Sequence, residues 1–147
     1  MPEYPERLAA LLEDFALVSD RHERAEMLIE LADRFEEVPA RIATRPFPEE
    51  HRVQRCESEA YVWAEPQADD TLKYSFAVEN PQGLSAKAMA VILDETLSGA
   101  PVAQVVQVPD DIIFQIFGRE LSMGKGQGLL GMLSMVRAFA RAHLPQR

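Results

Sequence analysis

Leu72, Tyr74, Phe76 and Val78 alternate with Lys73, Ser75, Ala77 and Glu79, and this period of two most restricts the fold. Alternation sends successive side chains to opposite faces, so the segment reads as a half-buried strand. A second β-prone run, residues 60–65, comes before it, with the turn-forming Pro66-Gln67-Ala68-Asp69-Asp70 between them. The two runs are expected to pair as an antiparallel hairpin, with a third strand near residues 52–55. Asn80-Pro81-Gln82-Gly83 closes the sheet region.

On either side of the hairpin the apolar period becomes helical. Leu8, Leu11, Leu12 and Phe15 mark a first helix over residues 5–17. Asp20 is placed to cap a second, with Glu23 completing a capping box. Its apolar face is Met27, Leu28, Leu31 and Phe35, and Glu30 and Arg34 form an i,i+4 pair on the other side. Val38-Pro39 ends this helix. Pro39, Pro46 and Pro48 make residues 39–52 an irregular connection. After the hairpin, Ser85 is the expected cap of a helix carrying Ala88, Val91, Ile92 and Leu97, which stops at Ser98-Gly99. Short helices follow over residues 101–107 and 110–117, and a last one over residues 126–143. Helices, a small sheet, then helices argue an α+β fold rather than βαβ: one domain over residues 1–147, with an antiparallel sheet of about three strands packed against helices.

A chain of 147 residues with 47% hydrophobic and 27% charged residues suits one soluble globular domain with a real core. No apolar run is long enough to span a membrane. The first residues show no basic start followed by an apolar stretch, so no signal peptide is expected. The net charge of −9 has the wrong sign for a phosphate backbone, which argues against nucleic acid as a partner. A single cysteine cannot form an internal disulfide, so a reducing, cytoplasmic setting is expected.

That cysteine, Cys56, carries the chemistry. His51, Arg52 and Arg55 precede it, and Ala60, Tyr61, Val62, Trp63 and Ala64 follow. Nearby positive charge lowers a thiol pKa and favours the reactive thiolate. A core cysteine usually sits in an apolar run; this one sits in a polar, charged segment just before a strand, where a loop is expected to hold it at the surface. Other motifs carry less. Gly126-Gln127-Gly128-Leu129-Leu130-Gly131 matches a dinucleotide fingerprint as a string, but no strand precedes it and too little chain follows, so its glycines are expected to serve close helix packing. His22, His51 and His143 lie far apart, with no zinc-ligand spacing, and are expected at the surface. One cysteine cannot scaffold an iron–sulfur cluster alone. A hydrolase or peroxidase pairing Cys56 with His51 stays open, as does an interaction module with an inert thiol. Lys125, in the glycine-rich segment before the last helix, is placed to fold back over a thiolate.

Four stretches make the chain resemble the SufE family of sulfur-acceptor proteins. They are residues 28–35 with Val38-Pro39; Val53 before Cys56-Glu57-Ser58 and a strand ending at Trp63; residues 83–93 with Leu97-Ser98-Gly99 and Pro101; and Gly124-Lys125-Gly126-Gln127-Gly128-Leu129 leading into Met132, Leu133 and Arg137. The resemblance runs from about residue 24 to residue 143. The sequence departs from the family pattern at four points, one of them two extra residues between Ser58 and the strand end. Arg55 replaces a glycine, Glu57 replaces a glutamine, and Lys125 stands where many members have arginine, which grips an anion with two donors where lysine offers a point charge.

The resemblance implies a fold shared with cluster-scaffold proteins. It also implies a function: a sulfur acceptor and activator of a PLP-dependent, SufS-like cysteine desulfurase. Cys56 would take the sulfur as a persulfide and pass it to a SufBCD-type scaffold complex. Arg55, Ser58 and Lys125 would support that chemistry, and Val53, Tyr61 and Trp63 would support the loop. No cofactor or metal is expected in this chain, since the PLP belongs to the desulfurase, and the protein is expected as a monomer or homodimer. It would be an accessory protein rather than an enzyme.

Overall fold

The computed structural model describes residues 4–54, 56, 58–119 and 121–145. Two antiparallel strands, β1 (Ala60–Pro66) and β2 (Leu72–Val78), pair in the register Ala60↔Val78 through Pro66↔Leu72. Helices α1 (Glu6–Ala16) and α2 (Arg21–Asp33) precede them, and α3 (Leu84–Leu97), α4 (Val102–Val105), α5 (Ile112–Phe117) and α6 (Met123–Ala142) follow. The architecture is the expected α+β. The expected third strand is reduced to one bridge, Arg52↔Tyr61, with Val53 N donating to Ala60 O at 2.8 Å. The chain leaves β1 there because Gln54 turns toward α6, where its carbonyl lies 3.2 Å from the Cβ position of Gly131.

Helix α3 is the centre of the core. Ala86, Ala88, Met89, Ala90, Val91, Ile92, Leu93 and Leu97 are all buried, so it is apolar nearly all round, as a helix enclosed by neighbours must be. α1, α2, α6 and β2 surround it. Thr96, buried on this helix, satisfies its hydroxyl by donating to Ile92 O. α1 buries Leu8, Leu12 and Phe15, as its spacing predicts. Asp20 caps α2 by accepting from His22 N at 3.2 Å. The helix ends at Asp33, ahead of Val38-Pro39. Arg34 does not pair with Glu30; it crosses to α3 and grips Glu95 with Nε and Nη2. α3 begins with Gly83 at its cap position rather than with Ser85, and no side chain caps it.

One expectation fails at the sheet. β2 is not half exposed: Ser75 and Ala77 are buried along with Tyr74 and Phe76. The covering layer is the segment read as an irregular connection. Val38 and Phe47 pack with Tyr61, Trp63 and Ala77 in a second small core on the far face of the hairpin. Phe47 lies 5.2 Å from both the Tyr61 and Trp63 rings. Arg45, paired with Glu37 and Glu79, lies over Phe47, and Arg41 pairs with Glu65. This strap also meets the outer edge of β2: Val38 N donates to Phe76 O. Ser98 Oγ accepts from Tyr74 N, and Gly99 N donates to Leu72 O.

Candidate functional site: an enclosed thiol

Cys56 lies in the loop between Val53 and Ala60, and it is buried, with 8% of its surface exposed. The expectation of a surface thiol is therefore wrong. The reason lies in glycines of α6 and of the turn before α3. A Cβ at Gly128 would sit 3.3 Å from both Cα and Sγ of Cys56. One at Gly131 would sit 2.6 Å from Val53 Cγ1, and one at Gly83 2.8 Å from Ser58 Oγ. Three missing side chains thus let the loop lie directly on its neighbours. The glycine-rich string does serve close packing, at Gly128 and Gly131; a Cβ at Gly126 would meet only Leu121, at 3.7 Å.

Hydrogen bonds complete the seat. Glu59 N donates to Cys56 O at 3.2 Å, Asn80 N to Ser58 O and Glu79 N to Glu59 O, both at 3.1 Å. Glu59 is held in the left-handed region at φ 51°, which a glutamate seldom adopts, so tertiary contacts impose this turn.

A cavity of about 240 Å³ opens beside the thiol. Cys56 and Ser58 line it from the loop, Asn80 and Gln82 from the turn after β2, Ser85 from α3 and Lys125 from α6. Three residues singled out in the sequence, Cys56, Ser58 and Lys125, therefore meet here; Arg55 lies outside the described residues. Lys125 is not in a loop before the last helix. Ser122 caps α6 by accepting from Lys125 N at 3.3 Å, so the helix begins at Met123 and Lys125 belongs to its first turn. A cation at a helix N-terminus is disfavoured by the helix dipole. The position does nothing for the helix, but among the described residues it makes Lys125 the one charged side chain lining the cavity. Asn80 and Gln82 had been read only as turn residues; nothing in their spacing marked them as part of a site.

The remaining sequence candidates stand apart. His51 is not a free surface residue: its Nδ1 lies 2.9 Å from Val62 O, and its ring stacks on Trp63 at 5.2 Å. A carbonyl only accepts, so Nδ1 carries the proton. His51 does not line the cavity. Val53 supports the loop, buried beneath Gly131. Tyr61 and Trp63 belong to the aromatic layer on the far face. A larger groove, about 750 Å³, runs between the segment after α2, β2 and α3, where Arg34–Glu95, Arg41–Glu65 and Lys73–Asp94 are ion-paired; among the described residues no thiol or histidine lines it. Among the described residues, no three His, Cys, Asp or Glu side chains are grouped to hold a metal ion, and no helix is long and apolar enough to cross a membrane.

Fold and site together define a small α+β protein with a single enclosed thiol on the wall of a cavity. The chain belongs to the SufE family: the model of that family, described as an Fe-S metabolism associated domain, matches residues 9–140. It is also similar to a protein named cysteine desulfuration protein SufE from Plasmodium vivax, at 30% identity over 96 residues, which are 65% of this chain and 40% of that protein's length. In three dimensions it resembles the solution structure of a hypothetical protein from Thermus thermophilus, with a TM-score of 0.73 and 26% identity over 97% of this chain and 98% of that one.

Proposed function

We propose that the protein is a sulfur carrier of iron–sulfur metabolism that accepts sulfur on Cys56 from a cysteine desulfurase and delivers it to a cluster scaffold. The observation that carries this reading is the placement of the only cysteine, enclosed beside Lys125 on the wall of a cavity with room for added sulfur. The chemistry is thiol exchange. The Cys56 thiolate attacks the outer sulfur of the desulfurase persulfide. A new S–S bond forms at Cys56 as the desulfurase's own S–S bond breaks, and that enzyme leaves as its thiolate. The product, Cys56–S–SH, is then attacked at its outer sulfur by an acceptor on the scaffold, which returns Cys56 as a thiolate.

The cavity suits the intermediate. Lys125 is the one charged side chain among the described residues that line it. Ser58, Asn80 and Gln82 provide polar groups along the wall. No second cysteine exists in the chain to resolve the persulfide into an internal disulfide. PLP chemistry belongs to the desulfurase.

The test is intact mass after mixing the protein with an active cysteine desulfurase and free cysteine. The expected result is a gain of one or more sulfur atoms, removed by dithiothreitol and absent from Cys56→Ser, with faster cysteine turnover. No gain and no acceleration would overturn the proposal.

A further inference from the structure

We infer that Gly128 is the positioning residue that governs how far the Cys56 thiol is exposed, and that its missing side chain keeps the sulfur folded against α6. Cys56 lies in the middle of a loop whose two shoulders are tied down independently of it. Val53 N donates to Ala60 O on one side and Asn80 N to Ser58 O on the other, with Gly131 against Val53 and Gly83 against Ser58. At the centre, among the described residues, the ties are one backbone bond, from Glu59 N to Cys56 O, and the contact with Gly128.

A Cβ at position 128 would meet Cα and Sγ of Cys56 at 3.3 Å and Cβ at 3.5 Å. Contacts this short press on the backbone as well as the sulfur, so turning the thiol alone does not relieve them. The free space adjoining both residues is the cavity of about 240 Å³. The closed position therefore rests on the absence of a methyl group: one added here requires Cys56 to give by a few tenths of an ångström, and the cavity is the space into which it can move. Half-exposed Leu84 lies on the cavity wall. Gly126 is the internal comparison. It lies two residues earlier in the same helix, and its Cβ position is 3.7 Å from Leu121 and touches nothing of the loop. Both Gly→Ala changes alter helix propensity alike, but only Gly128→Ala strains the thiol's seat.

The test measures the rate at which iodoacetamide modifies Cys56 in the folded full-length chain, by intact mass, from pH 6 to 10, for wild type, Gly126→Ala and Gly128→Ala. Gly128→Ala is expected to react about tenfold faster at the high-pH plateau, the factor that overpacking strain of ordinary size imposes on a closed state. Gly126→Ala should react like wild type. A folded Gly128→Ala that reacts at the wild-type rate, or a Gly126→Ala that accelerates equally, overturns the inference. Should Gly128→Ala fail to fold, wild type decides. A seat confined to the loop requires modification that barely changes with urea below the unfolding transition; a rate that climbs with global unfolding overturns it.

Alkylation needs no desulfurase, so this result stands apart from the sulfur-carrier reading. If that reading holds as well, sulfur loaded on Gly128→Ala should be lost to dithiothreitol faster than from wild type.

Discussion

The turn at residues 67–71 and the loop at residues 53–59 lie at opposite ends of β1, and they hold their shapes by different means. The turn is self-contained. Gln67 N donates to Thr71 O at 2.8 Å, and the Asp69 carboxylate accepts from both the backbone N–H and the hydroxyl of Thr71. Its positive-φ residue is Asp70, at 66°, a type that tolerates that conformation. The cysteine loop places a glutamate, Glu59, in the same region. It owes its shape to Gly83, Gly128, Gly131 and the backbone of residues 79 and 80. A loop that depends on its neighbours can be shifted by what touches those neighbours. A self-contained turn cannot, and only the first kind can present or withdraw a thiol.

The largest effect that separates the two is chemical. Cys56→Ser should abolish sulfur gain in the mass experiment, while Asp69→Ala at the other end of β1 should leave it unchanged. An equal loss from both would mean that the two ends are coupled and that the contrast is wrong.

Next comes stability. Gly131→Ala places a Cβ 2.6 Å from the stiff side chain of Val53 and 3.2 Å from the Gln54 carbonyl. Overpacking of this sort destabilises by about 1–3 kcal/mol. The helix-propensity gain of about 1 kcal/mol offsets only part of that. Urea unfolding should show a lower midpoint with an unchanged slope, and a higher midpoint would show that the loop is not seated on α6.

Lys125→Gln should fold normally, since a cation in that first turn does not support the helix. It should lower the sulfur gained on Cys56 in the mass experiment several-fold, while leaving the alkylation plateau at the wild-type value, unlike Gly128→Ala. An unchanged sulfur gain would remove Lys125 from the site.

The smallest effect belongs to the turn. Hydrogen bonds from the Thr71 hydroxyl and backbone hold the Asp69 carboxyl below its usual range. The folded pKa is therefore below the unfolded one. The contribution to stability is complete above the unfolded value near 4 and fades as pH falls through the folded value. Comparing wild type with Asp69→Asn between pH 6 and 2.5 should show their thermal midpoints converging below about pH 4. A constant gap would remove Asp69 from the account.

Much of this fold was legible in the sequence because it rests on periodic burial. The alternation through Leu72, Tyr74 and Phe76 located the hairpin, and Leu8, Leu12 and Phe15 located α1. The SufE motifs located the cysteine and the lysine that share a cavity with Ser58. What stayed hidden was aperiodic. Val38 and Phe47 cover the sheet from a proline-broken strap, so neither period reveals them. The enclosure of Cys56 depends on absent side chains at Gly83, Gly128 and Gly131, and a missing atom leaves no hydrophobic pattern. Lys125 was set outside α6 because that helix was expected to start at Gly126, whereas the Ser122 cap starts it at Met123.

The ties along the hairpin have a consequence for how copies of this protein meet one another. A two-stranded sheet has two edges, and a free edge is a template on which another chain can add a strand. Here Val38 N, Ser98 Oγ and Gly99 N occupy ladder groups along β2, and Val53 N and His51 Nδ1 occupy those of Ala60 and Val62 on β1. Each tie takes a carbonyl or N–H that an added strand would need, so a second copy cannot extend a continuous ladder along either edge without first displacing these contacts. Encounters between molecules thereby fall more to side-chain surfaces such as the rim around the cysteine cavity.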